Sequence, residues 1–164
     1  MLERSTLFNT SLEAGLRSLA LLVAVFPNSL STGQLVALDH ILVHSRDFDQ
    51  SAPESLHPAS PYRRTEPVIR RKLIIQGVDL MVSRGLISRL PTRNGFVYSA
   101  TEETSSFLAA LSTPYWHQLI DRSAWIAGHF GSRNEAELES LIHTRLDDWV
   151  SGLSNLALSD QEAS

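Results

Sequence analysis

Two histidines, His40 and His44, stand four residues apart in a stretch of helical periodicity, so both imidazoles share one face and could hold a metal ion with Asp39 or Asp47 nearby. The position that carries the general-base glutamate in HExxH metalloproteases is Ile41, and no third ligand follows at a diagnostic spacing. The expectation is therefore no metal and no cofactor, with His44 and His57 making hydrogen bonds that pin a long loop. Serine, histidine and aspartate all occur, but no GxSxG, P-loop or dinucleotide glycine pattern places them, and there is no cysteine to act as a nucleophile. Nothing in these spacings specifies catalysis, and the chain is expected not to be an enzyme.

The strongest polar feature is a basic run, Tyr62-Arg63-Arg64 followed by Arg70-Arg71-Lys72, with Arg89 and Arg93 further on. Arginine suits bidentate contact with phosphate or carboxylate, and Arg63 and Arg64 lie just before a helix start, which itself favours anions. Residues 62–93 hold eight basic side chains against Glu66 and Asp79, a balance of +6, while residues 101–164 hold ten acidic side chains against three arginines, a balance of -7. The split implies two contact surfaces of opposite sign. A domain devoted to DNA is usually basic overall, and this chain carries -4, so the basic run faces either an acidic protein surface or, through a complex, DNA. In the aromatic series Tyr115, Trp116, Trp125, Phe130 and Trp149, Tyr115 and Phe130 fall at helical spacing with Ile126 and are expected in the core. Trp116 and Trp149 are the candidates for an exposed interface.

These residues must be positioned by a largely helical chain. Thr10-x-x-Glu13 and Ser31-x-x-Gln34 are capping-box patterns opening helices that run to Phe26 and to about His44. Residues 45–64 have three prolines and no helical period; this long loop is expected to be anchored by His44, Phe48, Leu56 and His57. Thr65 and Pro67 open a helix of about five turns that Gly85 ends. Its apolar residues fall on two sides (Ile69, Leu73 and Leu80; Val68, Ile74, Ile75, Val78, Met81 and Val82), leaving only Lys72, Gln76, Asp79 and Ser83 as a polar strip, so it is expected to be sandwiched. Two β-compatible bursts then flank a tight-turn signal at Asn94-Gly95. Thr101, Thr113-Pro114 and a third box, Ser132-x-x-Glu135, open the last helices.

The fold expected is mainly α with a small β-hairpin wing: a winged-helix-like domain over 1–111 with the long loop at 45–64, a C-terminal helical hairpin over 112–152 packed on it, and a tail at 153–164. The apolar run Leu19 to Phe26 is far too short for a membrane span, which needs about 20 residues, so no membrane contact and a cytoplasmic location are expected.

Several phrases resemble a known family, the middle component (type 2) of the ABC-three-component bacterial conflict systems: FNTSLEAGLRSLALL (8–22), LDHILVHSRD (38–47), SLHPASPYR (55–63), VIRRKLIIQGVDLMVSRGLISR (68–89) and YSATEETSSFLAAL (98–111). The resemblance implies a non-enzymatic accessory subunit of an anti-phage or anti-plasmid defence complex, related to Lamassu-type systems. Its partners would be an SMC-like ABC ATPase and an effector, often a nuclease, which it would bridge or regulate. The alternative is a winged-helix DNA-binding transcription regulator. A DNA-reading helix needs an exposed polar face near its start, and here Arg70, Arg71 and Lys72 are flanked by Val68, Ile69, Leu73, Ile74 and Ile75.

Overall fold

The computed structural model describes residues 10–45, residue 51 and residues 66–145. Thr10 caps helix α1 (Ser11–Val25), its hydroxyl accepting the Glu13 N–H at 3.2 Å. A two-residue strand, β1 (Leu30–Ser31), leads into α2 (Thr32–Val43). Here the expected box is complete: Ser31 Oγ accepts the Gln34 N–H at 3.1 Å and Gln34 Oε1 accepts the Ser31 N–H at 2.9 Å. Helix α3 (Glu66–Ser83) follows, and Gly85, at φ +74°, turns the chain out of it as a residue without a Cβ can. Next come β2 (Ile87–Thr92), β3 (Gly95–Ala100), α4 (Glu102–Ala109), α5 (Pro114–Phe130) and a last helix, α6 (135–145).

The protein is thus mainly α with a small antiparallel sheet of order β1-β3-β2. Strand β1 was not expected; it is too short to show a period and exists because Leu30 and Ser31 pair with Tyr98 and Val97. The hairpin turn sits one residue earlier than Asn94-Gly95. Thr92 pairs with Gly95, so Arg93 and Asn94 form the loop and Gly95 follows it at φ +118°. The Thr92 hydroxyl closes the turn by donating to the Gly95 carbonyl at 2.8 Å.

Helix α1, rather than α3, lies at the centre, touching α2, α3, α4, α5 and β3. One core joins Leu19, Leu21 and Leu22 of α1 to Leu35, Leu38, Ile41 and Leu42 of α2, Ile74, Val78 and Met81 of α3, Leu119 and Ile126 of α5 and Leu138 of α6. Helices α1 and α3 cross with their backbones in contact: a Cβ built on Gly15 would lie 2.7 Å from the Gly77 carbonyl oxygen, and one on Gly77 would overlap Gly15 N and Ser11 O. Helix α3 is covered by α1, α2 and β2 but is not sandwiched throughout, because Ile75 joins the exposed strip of Lys72, Gln76, Asp79 and Ser83.

The third expected box also resolves differently. Asn134 Oδ1, not Ser132, caps α6 by accepting the Glu137 N–H at 2.9 Å. Glu135 is thereby released to accept the Ser31 hydroxyl at 3.1 Å, and Gln34 Nε2 donates to the Arg133 carbonyl at 3.0 Å, tying the start of α6 to the start of α2. A carboxylate placed there also complements the dipole of α2.

Candidate functional site

Nine of the twelve residues of α2 are buried, so this helix is enclosed on nearly every side, and Asp39 on it is fully buried at 0 % exposure. A lone buried carboxylate would be protonated or strongly destabilising, and two guanidinium groups prevent both. Arg17 of α1 donates from Nε to Oδ1 at 2.6 Å and from Nη2 to Oδ2 at 3.3 Å, while Arg70 of α3 donates from Nη1 to Oδ2 at 2.6 Å. Arg17 also reaches the Glu13 carboxylate at 3.1 Å, and Glu13 accepts the Tyr115 hydroxyl of α5 at 2.6 Å. The network Arg70–Asp39–Arg17–Glu13–Tyr115 therefore fastens four helices to one another.

Burial by itself would raise the Asp39 pKa. The charges and hydrogen bonds of Arg17 and Arg70 outweigh it and hold the carboxyl at about 2. Burial disfavours the charged form of Arg17, and the facing Asp39 and Glu13 carboxylates reverse that, raising its pKa. The Tyr115 phenol is pushed up by burial and by its bond to Glu13. Glu13 was expected to complete the first capping box; its carboxylate instead serves this network. Because the phenol bonds a charged acceptor, Tyr115→Phe should lose about 1–2 kcal/mol in urea unfolding with no change in helix content. An unchanged midpoint would place the Tyr115 hydroxyl outside the network.

His40 and His44 share a face as their spacing predicts, both buried, with ring centroids 5.1 Å apart at 59°. The described residues hold no group of three potential metal ligands. Of the loop anchors, His44 is buried at the end of α2, and Phe48, Leu56 and His57 lie outside the described residues.

The basic run is divided by the fold. Arg70, expected on a contact surface, is 4 % exposed and belongs to the buried network, because its place on α3 faces α2 across the Asp39 carboxylate. Arg71 and Lys72 are exposed, as are Arg89 and Arg93 on the hairpin, and Arg84 at the end of α3 joins them. Arg89 pairs with Asp79 at 2.9 Å and lies over the Phe96 ring at 5.2 Å. Tyr62, Arg63 and Arg64 lie outside the described residues. Trp116, expected at the surface, is 7 % exposed and packs in the core, since the N-terminal turn of α5 lies on α1; Trp149 lies outside the described residues. Trp125 is half-buried and stacks on His129 with centroids 4.0 Å apart.

Glu13, Arg17 and Asp39 were not singled out from sequence as a unit. The available signal was an isolated arginine beside an apolar run and an isolated aspartate inside another, in helices too apolar to leave either in water.

Fold and interior together define a small, mostly helical domain with a three-stranded sheet, whose buried ions join its helices and which, among the described residues, carries five exposed cations on α3 and the hairpin. The chain belongs to the Middle Component 2 family of ABC-three component systems, whose sequence profile matches residues 7–152. No curated protein and no solved structure matches it. As a component of such a system it works with protein partners, and no described helix is long and apolar enough to cross a membrane.

Proposed function

We propose that this chain is a non-enzymatic, cytoplasmic adaptor that links or regulates the ABC ATPase and the effector of its system, the ATPase being SMC-like and the effector often a nuclease, as in Lamassu-related defence. The observation that carries this reading is the state of the interior charges. Asp39 is saturated by two guanidinium groups and kept ionised, so it is not poised for proton transfer at neutral pH; its role is to fasten helices. The exposed basic side chains Arg71, Lys72, Arg84, Arg89 and Arg93 lie instead on α3 and the hairpin, where a partner can reach them.

The element order α1-β1-α2-α3-β2-β3, with strand order β1-β3-β2, supports a winged-helix-like description. That order also suits the alternative of a DNA-binding regulator, in which α3 would enter a major groove. Against it, Arg70 is turned inward, and Ile75 and Asp79 stand on the strip that would meet base edges.

Co-expression with the other two components should give a complex that survives affinity purification on this chain, while the chain alone hydrolyses no ATP and cuts no DNA above background. Turnover by the isolated chain that disappears in His40→Ala or His44→Ala would overturn the adaptor reading. Tight sequence-specific duplex binding by the isolated chain would favour the regulator.

A further inference from the structure

Within residues 70–100 the exposed charges are Arg71, Lys72, Arg84, Arg89 and Arg93 against the single carboxylate of Asp79, so this face is locally basic on a chain whose net charge is -4. Apolar groups are exposed in the middle of it. Ile75, one turn before Asp79 on α3, is 40 % exposed, and Phe96 on the hairpin is 49 % exposed. The Asp79–Arg89 pair and the stacking of Arg89 on Phe96 fix the hairpin against α3, so the strip of Lys72, Ile75, Gln76 and Asp79 and the Arg89–Phe96 pair form one surface. On the hairpin's other face Leu90, opposite Val97, is exposed as well.

This composition is that of a protein contact. An aromatic and an aliphatic side chain at the centre, arginine beside the ring and further cations at the rim match the anatomy of binding hot spots. Duplex DNA would meet a carboxylate and two apolar side chains where phosphates or base edges should lie, with Arg70 withdrawn into the core. Strand addition at the open edge of β2 is also disfavoured, because Pro91 lies on that strand and has no N–H to offer an incoming strand.

We propose that the α3–hairpin face is the docking site for an acidic protein surface on one of the other two components, which sets apolar side chains on Ile75 and Phe96 and carboxylates on Arg71, Lys72 and Arg93. This inference rests on the adaptor reading and adds to it a location and a partner chemistry. Exposed cations then supply orientation and association rate, and the apolar pair supplies most of the affinity.

The test uses the full chain co-expressed with the other two components, in wild-type form and as two double variants, Arg71→Glu with Lys72→Glu and Ile75→Ser with Phe96→Ser. All four positions are exposed, so the charge variant should keep the wild-type thermal midpoint, and the apolar variant, which gives up the Arg89–Phe96 stack, should remain folded with a slightly lower one. Each should weaken binding of one component at least about tenfold, the charge variant more at low salt than at high salt. The same proteins are titrated with a 20-base-pair duplex at several salt concentrations, and no dependence of binding on the four residues is expected. Folded variants that retain both components as the wild type does would overturn the docking site while leaving the adaptor reading intact. A steep, salt-dependent loss of duplex binding in the charge variant, with assembly unchanged, would overturn it in favour of DNA. A wild-type chain that fails to assemble at all removes the adaptor reading and this inference together.

Discussion

Asp39→Ala should destabilise the protein by about 3–5 kcal/mol, enough to unfold much of it, because the change leaves Arg17 and Arg70 buried without their shared counter-ion. The result of removing all three charges should be quite different. Arg17→Met, Asp39→Leu and Arg70→Met together replace the three most buried ions by apolar groups of similar size, leave Glu13 to the Tyr115 hydroxyl and partial solvent exposure, and should fall within about 2 kcal/mol of the wild type. Urea unfolding of the single and triple variants decides the matter. If the triple variant is as unstable as the single one, the network contributes through its ion pairs themselves and not through the mere avoidance of unpaired charge.

The same carboxylate sets an acid limit. The Asp39 pKa is depressed from 3.8 to about 2 in the folded protein, so its contribution is fully present above the unfolded value and disappears as pH falls through the folded one. A shift of that size corresponds to about 2 kcal/mol, lost between roughly pH 4 and pH 2. Unfolding free energies measured across that window should fall for the wild type by more than for the triple variant. Equal slopes would show that other carboxylates govern the acid transition.

Gly77→Val should be nearly as damaging as Asp39→Ala. A side chain at residue 77 meets the backbone of α1 at Gly15 and Ser11, which cannot swing aside as the tip of a flexible side chain could. Overpacking of this kind costs about 1–3 kcal/mol and more where backbone must move. Here separating α1 from α3 also strains the network that joins Arg17 of α1 to Arg70 of α3 through Asp39, so a loss of at least about 3 kcal/mol is expected. Gly128 on α5 provides the contrast, since nothing lies within 4 Å of a Cβ there. Gly128→Ala should stabilise by up to about 1 kcal/mol through helix propensity. An unchanged urea midpoint for Gly77→Val would mean that the two helices do not touch at this crossing.

Sequence alone determined the helices that carry strong local signals. The Ser31/Gln34 box, the glycine stop at Gly85 and the Thr113-Pro114 start are each decided by a few neighbouring backbone groups, and they stand where the pattern placed them. The hairpin was legible for the same reason, with its turn displaced by one residue because register depends on how the strands pair. Tertiary structure decided which side chains face water. Residue types do not say whether Arg70 meets solvent or a buried aspartate 31 positions earlier in the chain. Nor does helical period alone predict that Ile75 is left uncovered while Trp116 is covered, since each outcome depends on which helix lies against that face. The carboxylates of the first and third boxes were redirected on the same physical ground, although Thr10 caps α1 as its pattern placed it and only Ser132 gives way, to Asn134. A carboxylate in the first turn of a helix has a local partner available, yet Glu13 is drawn to Arg17 and Tyr115, and Glu135 to Ser31 at the start of α2, by partners that only the packing of the helices brings within reach.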